Sequence, residues 1–171
     1  MKVTFPRMGT LDIPLKAFFT SLGIEVVVPP PISDKTISLG ARYAPEFSCL
    51  PLKINVGNYL EAYEMGADTI VMAGGVGPCR FGYYAQVQRE ILADLGINYD
   101  MVLLEPPKGH LGETLRELWE LTGRASPARI FRAGRLTWAK LKLLDEVERL
   151  TAKARCREKN EGQAGDVYRR A

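Results

Sequence analysis

The chain has 171 residues, of which 46% are hydrophobic and 25% charged, and this balance is typical of one globular domain with a buried core. A formal net charge of +3 is too small to indicate a nucleic-acid-binding protein, and no apolar run is long enough to span a bilayer. Pro6 follows the N-terminus too closely for a signal peptide, so the sequence predicts a cytoplasmic protein without a membrane partner.

The first elements alternate between strand and helix patterns. Lys2–Phe5 predicts a short apolar strand, and helical spacing follows over residues 12–22, with Gly23 as the residue that ends the helix. The β-branched run Ile24–Val28 predicts a strand buried on both faces. Ser33–Arg42 then predicts a short helix with a serine or aspartate cap.

The middle of the chain continues this alternation around two cysteines. An irregular, proline-bounded segment is expected over Tyr43–Pro51, followed by a helix over Pro51–Met65. Thr69–Ala73 predicts a third buried strand, and a glycine-rich turn over residues 74–78 connects it to an amphipathic helix over Arg80–Leu95.

The C-terminal part predicts one further strand, Met101–Leu104, and then two helices, over Gly112–Leu121 and Pro127–Ala154. The polar residues beyond them predict a frayed tail. We therefore expect three regions: an α/β domain over 1–124, a C-terminal helix over 125–155 and a flexible tail over 156–171.

This order of elements predicts an α/β fold. Strands that alternate with helices favour a four-stranded parallel sheet with helices on both faces, as in Rossmann-like or flavodoxin-like lobes, here with a C-terminal helical extension. In such sheets, ligands bind beyond the carboxyl ends of the strands, and the loop that contains Cys79 lies there.

The glycine-rich turn is the sharpest local feature. Gly74, Gly75 and Gly77 allow the backbone to approach a ligand closely, and Cys79 follows at the start of a predicted helix. The helix N-terminus and the neighbouring Arg80 both favour a thiolate or a phosphate. A tight turn in which Cys79 only packs is the alternative. The spacing fits neither a dinucleotide fingerprint nor a P-loop.

Cys49 has a similar setting. Pro45 and Pro51 hold its loop extended, a predicted helix follows, and Lys53 supplies a nearby cation. Two thiols in matched settings predict metal ligation or other thiolate chemistry, whereas a buried structural cysteine is the alternative for each. The absence of a C-x-x-C motif disfavours a thiol–disulfide enzyme.

The remaining polar candidates are weaker. Cys156 lies among charged residues and is expected to be an incidental exposed thiol, and His110, the single histidine, is expected to be solvated. No spacing selects an acid–base pair among the candidate carboxylates, which are Glu46, Glu61 and Glu105. The aromatic residues after Cys79 are expected in the core: Phe81, Tyr83 and Tyr84.

The two cysteine segments, PEFSCLPLK at 45–53 and GGVGPCRFGYY at 74–84, resemble the acyl-CoA dehydratase activase-related proteins, also called CoA protein activases. These proteins are similar to 2-hydroxyacyl-CoA dehydratase and benzoyl-CoA reductase subunits of anaerobes. The resemblance covers roughly residues 1–155 and implies an iron–sulfur redox subunit or accessory protein, with Cys49 and Cys79 as ligands of a [4Fe-4S] cluster and a CoA thioester as a further ligand.

Two cysteines are fewer than a cluster needs. The resemblance therefore implies a second α/β subunit or a homodimer mate that supplies further ligands, and an ATP-dependent activase as a partner. Two alternatives remain open. The first is a non-redox module that binds the phosphate of CoA or of a nucleotide through Gly74, Gly75, Gly77, Arg80 and Lys53. The second is the structural half of a two-lobed complex.

Overall fold

A computed structural model describes residues 1–75, 78–104, 116 and 119–170. In chain order, its elements are β1 (Lys2–Thr4), α1 (Asp12–Ser21), β2 (Glu25–Val26), α2 (Asp34–Tyr43), α3 (Leu50–Glu64), β3 (Thr69–Ala73), α4 (Tyr84–Asp94), β4 (Asp100–Leu104), α5 (Pro127–Arg155) and α6 (Gln163–Arg170). A 3₁₀ turn over Arg80–Tyr83 precedes α4, where the sequence predicts a single helix. Most of the helix predicted over Gly112–Leu121 lies outside the described residues.

The four strands form one parallel sheet in the order β2-β1-β3-β4, which confirms the predicted α/β fold. Val3 of β1 pairs with Val26 of β2 and Thr69 of β3, and β3 pairs with β4 along its whole length. After β1, the chain forms β2 on one side of β1 and then crosses to form β3 on the other side of β1. The carboxyl ends of β1 and β3 therefore flank the topological switch point, which is the usual ligand position in such sheets.

The alternating side chains of β3 divide the core into two layers. Ile70 and Met72 pack with residues of α3 and α4, including Tyr59 and Leu92. Val71 points to the opposite face, where the second cluster contains residues of α1 and α5. The helices thus cover both faces of the sheet, because consecutive residues of a strand point in opposite directions.

Two glycines allow α2 and α3 to pack closely. A methyl group on Gly40 would lie 1.9 Å from the carbonyl oxygen of Lys53, and one on Gly57 would lie 2.1 Å from that of Thr36. Ser33 caps α2 in a reciprocal capping box with Thr36. The Thr36 hydroxyl also donates a buried 2.7 Å hydrogen bond to Glu61 of α3. The α2–α3 pair is therefore joined by both backbone and side-chain contacts.

The C-terminal part forms a helix pair, although the sequence predicts only a polar tail after residue 155. The backbone N–H groups of Gly162 and Ala164 donate to the Glu158 carboxylate, which fixes the turn into α6. The Tyr168 hydroxyl of α6 then reaches Glu148 of α5. Within the described residues, no helix is both long and apolar enough to cross a membrane.

Candidate thiol site

Cys49 lies at the N-cap of α3. Its backbone is extended, with φ −70° and ψ 154°, and Pro51 occupies the first helical turn, where a proline needs no hydrogen-bond donor. The Cys49 carbonyl accepts hydrogen bonds from the N–H groups of Leu52 and Lys53, while its side chain is exposed. The sequence-predicted setting of this thiol, a helix N-terminus, is present in the structure.

Cys79 is the N-cap of the 3₁₀ turn over Arg80–Tyr83 and is also exposed. The glycines around it serve local packing. A methyl group on Gly82 would lie 1.9 Å from the Gly75 carbonyl oxygen, and one on Gly74 would lie 2.7 Å from a Leu103 methyl carbon. Gly75 itself has a φ of +153°. The backbone of the turn therefore requires glycine at positions 74, 75 and 82. Gly77, the third glycine of the predicted phosphate-binding turn, lies outside the described residues.

The hydroxyl of Tyr84 reaches the Cys49 thiol. It forms a hydrogen bond with the Cys49 sulfur. Burial raises the pKa of Tyr84 to about 12, and the charges of the Cys49 and Cys79 thiolates act in the same direction. Burial of the phenol is the largest cause of this raised pKa, and the thiolate charges add to it.

The pKa of the Cys49 thiol is lowered. The Tyr84 hydrogen bond is the largest cause, and the N–H of Leu52 and the positive charge of Arg80 contribute further. A lower pKa increases the thiolate fraction near neutral pH, and the thiolate is both the nucleophile and the metal ligand. Cys49 therefore has the chemistry of a ligating or reactive cysteine.

An open cavity of about 640 Å³ adjoins Cys49. Its walls combine apolar side chains with the thiol, the guanidinium of Arg80 and the ring of Tyr84; the other lining residues are Pro45, Phe47, Ser48, Leu52, Tyr83 and Val87. Phe47 and Tyr83 are 85% and 75% exposed, respectively. The thiol is thus bordered by aromatic surface that water reaches freely.

The structure separates the other predicted site residues from this arrangement. The Lys53 ammonium donates to the Glu46 carbonyl at 3.0 Å. Arg80 lines the cavity beside the Cys49 thiol, and its charge is the smallest of the contributions to the lowered pKa of Cys49. Cys156 lies at the end of α5, where its sulfur donates to the Ala152 carbonyl. His110 and Glu105 lie outside the described residues. Within those residues, no three His, Cys, Asp or Glu side chains form a group that could hold a metal ion.

Sequence reasoning missed the role of Tyr84. Its expected place in the core is confirmed, because it is 4% exposed, yet its hydroxyl reaches the thiol at the surface. Tyr83, also expected in the core, is exposed instead. The signal that could have identified Tyr84 is a tyrosine expected in the core five residues after Cys79. A buried tyrosine hydroxyl usually finds a hydrogen-bond partner, and here that partner is the Cys49 thiol.

Residues 12–73 match the model of a family described as the CoA enzyme activase uncharacterised domain. The matched segment runs from α1 to the end of β3, so it contains Cys49 and ends before Cys79. No curated protein matches the chain, and no solved structure matches it.

Proposed function

We propose that this chain, of which residues 12–73 match the CoA enzyme activase domain, is an iron–sulfur accessory protein of an acyl-CoA dehydratase system. The observation that carries the proposal is the setting of Cys49 and Cys79, two exposed thiols that each precede a helical turn, with Cys49 hydrogen-bonded to the buried Tyr84. In this proposal they are two of the ligands of a [4Fe-4S] cluster.

The chemistry of the two thiols suits such a cluster. Iron–sulfur clusters are held by thiolates, and the hydrogen bond from Tyr84 and the charge of Arg80 both favour the thiolate form of Cys49. A hydrogen bond to a ligating sulfur also tunes the reduction potential of a cluster. When bound, a cluster of this kind supplies one-electron transfer.

The number of thiols requires a partner. A cluster with four cysteine ligands needs two more than Cys49 and Cys79 supply, and the single remaining cysteine, Cys156, lies at the C-terminal end of α5. A second α/β subunit or a second copy of this chain would provide them. The exposed rings of Phe47 and Tyr83 beside Cys49 offer the aromatic surface that such an interface uses. An ATP-dependent activase is the proposed electron donor.

Iron and sulfide content tests this function. The full chain is purified and reconstituted without oxygen, and iron, acid-labile sulfide and the EPR signal of the reduced protein are measured. We expect substoichiometric but clear incorporation for the wild type and at least about a tenfold loss for Cys49→Ala and for Cys79→Ala. Cys156→Ala is the matched control and should retain the wild-type content. Protein without iron, or equal iron in all variants, contradicts the proposal.

A phosphate-binding module is the second candidate, because the loop that ends at Cys79 follows β3 at the switch point between β1 and β3. Thermal unfolding with and without CoA and with nucleotides separates the two functions. A phosphate site predicts a ligand-dependent rise in Tm that persists in the Cys49→Ala, Cys79→Ala double variant. Stabilisation that disappears with the thiols argues against this candidate.

A further inference from the structure

Two buried side-chain amides on α3 and α4 have polar atoms without a hydrogen-bond partner in the described part of the chain. Gln88 of α4 is fully buried, and both its Nε2 and its Oε1 atoms are unpartnered. Asn55 of α3 is 2% exposed, and its Nδ2 atom is unpartnered. Buried polar groups in native proteins nearly always have a partner, so these two amides require one.

The two amides lie behind the wall of the cavity beside Cys49. Leu52 of α3 and Val87 of α4 both line that cavity. Asn55 follows Leu52 by about one helical turn, and Gln88 is the residue directly after Val87. Each amide is therefore one step further into the protein than a residue that borders the cavity.

The two amides also lie at a similar depth. Both helices connect parallel strands and pack on the same face of the sheet, so they run in the same direction. The hydrogen bond between Cys49 and Tyr84 joins their N-terminal ends. Asn55 comes six residues after Cys49, and Gln88 comes four after Tyr84, which is about 9 Å and 6 Å along the helix axes. One small molecule can therefore bridge the two amides.

The free atoms select a ligand that both donates and accepts hydrogen bonds. The Nδ2 group of Asn55 and the Nε2 group of Gln88 are donors, whereas the Oε1 atom of Gln88 is an acceptor. A metal ion would find a single oxygen ligand here, and an anion would meet the carbonyl oxygen of Gln88. Water complements all three atoms, because it donates two hydrogen bonds and accepts two.

We propose that Asn55 and Gln88 form an internal hydration site, in which at least one ordered water bridges the two amides behind the thiol cavity. Buried waters of this kind make about three hydrogen bonds to polar groups that have no other partner. The open cavity beside Cys49 is the route by which the water exchanges with solvent. The site does not depend on the proposed cluster, because neither amide is one of the proposed ligands.

Thermal unfolding of the full chain tests the site through a double-mutant cycle. Gln88→Met and Asn55→Leu keep a similar side-chain volume but remove the hydrogen-bonding groups. We expect each to lower the Tm by about 2–6 °C, because the water and the remaining amide lose a partner. The double variant should unfold close to the wild-type Tm, since no amide is then left without a partner. Gln86→Met, on the exposed side of α4, is the matched control and should change the Tm by less than about 1 °C.

Oxygen-17 magnetic relaxation dispersion counts the long-lived internal waters of each folded variant. The count should fall by about one per chain in Gln88→Met and in Asn55→Leu, and it should be unchanged in Gln86→Met. A rise in Tm in either single buried variant overturns the proposal, because it would show that the removed amide had no partner. An unchanged water count also overturns it, as does a double variant whose Tm falls by the sum of the two single shifts.

Discussion

At the scale of single residues, the hydrogen bond between Tyr84 and Cys49 is the contact with the clearest chemical consequence. The ring of Tyr84 is held by the core, so its hydroxyl is presented to the sulfur at a fixed position. Because the Tyr84 hydroxyl is already in place, no free energy is spent on ordering it, and its hydrogen bond stabilises the Cys49 thiolate efficiently. The phenol is therefore part of the thiol site although most of its side chain belongs to the core.

Tyr84→Phe should shift the titration of Cys49 to higher pH. Removal of the hydroxyl removes the main cause of the lowered thiol pKa, so a smaller fraction of Cys49 is thiolate at neutral pH. We expect the alkylation rate of Cys49 at pH 7 to fall roughly three- to tenfold. At alkaline pH the rates of the variant and the wild type should converge, because Cys49 is then fully thiolate in both. Alkylation measured separately at each cysteine by peptide mass spectrometry gives the profile, with Cys156 as an internal reference.

Tyr83→Phe is the control for this experiment, because Tyr83 lines the same cavity with its side chain exposed. It should leave the pH profile of Cys49 unchanged. An unchanged profile for Tyr84→Phe, or an equal shift in both variants, would show that the phenol of Tyr84 does not stabilise the thiolate.

At the scale of elements, the α2–α3 pair depends on the two glycines at its contact. Gly40 and Gly57 each bring a helix backbone against a carbonyl oxygen of the other helix. The same pair contains the buried bond between Thr36 and Glu61, so a change in helix separation also affects this polar contact. Because Cys49 is the N-cap of α3, the position of α3 relative to α2 also determines where the thiol lies.

Gly40→Ala and Gly57→Ala should each destabilise the protein by about 3 kcal/mol, because overpacking at a rigid backbone contact forces the helices apart. Gly134→Ala is the matched control within α5, where an added methyl group meets nothing within 4 Å. It should be neutral or stabilising by about 0.5–1 kcal/mol through helix propensity. Urea unfolding measures all three. Equal stability of the three variants would refute the close packing of α2 and α3.

At the scale of the whole molecule, the sheet separates two layers of helices. β3 lies between β1 and β4, and its central residues are almost fully buried between the two helical layers. The helices that carry the thiol site, α3 and α4, pack on one side of this sheet, and α1 and α5 pack on the other.

Amide hydrogen exchange should follow this architecture. Ile70–Met72 should exchange most slowly, because β3 has a paired neighbour on each side and is covered on both faces. The exposed helix α6 should exchange at least about a hundredfold faster, since it opens without unfolding the sheet. Mass-spectrometric exchange of the full chain measures both. Protection of α6 equal to that of β3 would contradict this order.

The elements were predictable where their signals are local. Proline and glycine positions marked the ends of α1, α3 and β3, and β-branched runs marked the strands, because these preferences arise within a few residues of the chain. β2 has only two paired residues and is an edge strand with Glu25 exposed, so the expectation of a strand buried on both faces was wrong. The turn into α6 was missed because its cap, Glu158, acts through backbone atoms four and six residues away.

The sequence by itself determined the helical N-terminal settings of Cys49 and Cys79, the parallel α/β class and the resemblance to CoA protein activases. These rest on spacing and on short motifs. Only the tertiary structure decided that Tyr84 hydrogen-bonds to Cys49, that Arg80 lines the same cavity as this thiol, and that α2 and α3 meet at Gly40 and Gly57. Each of these is a relation between distant segments, and the packing of helices on the sheet, rather than any local preference, sets those distances.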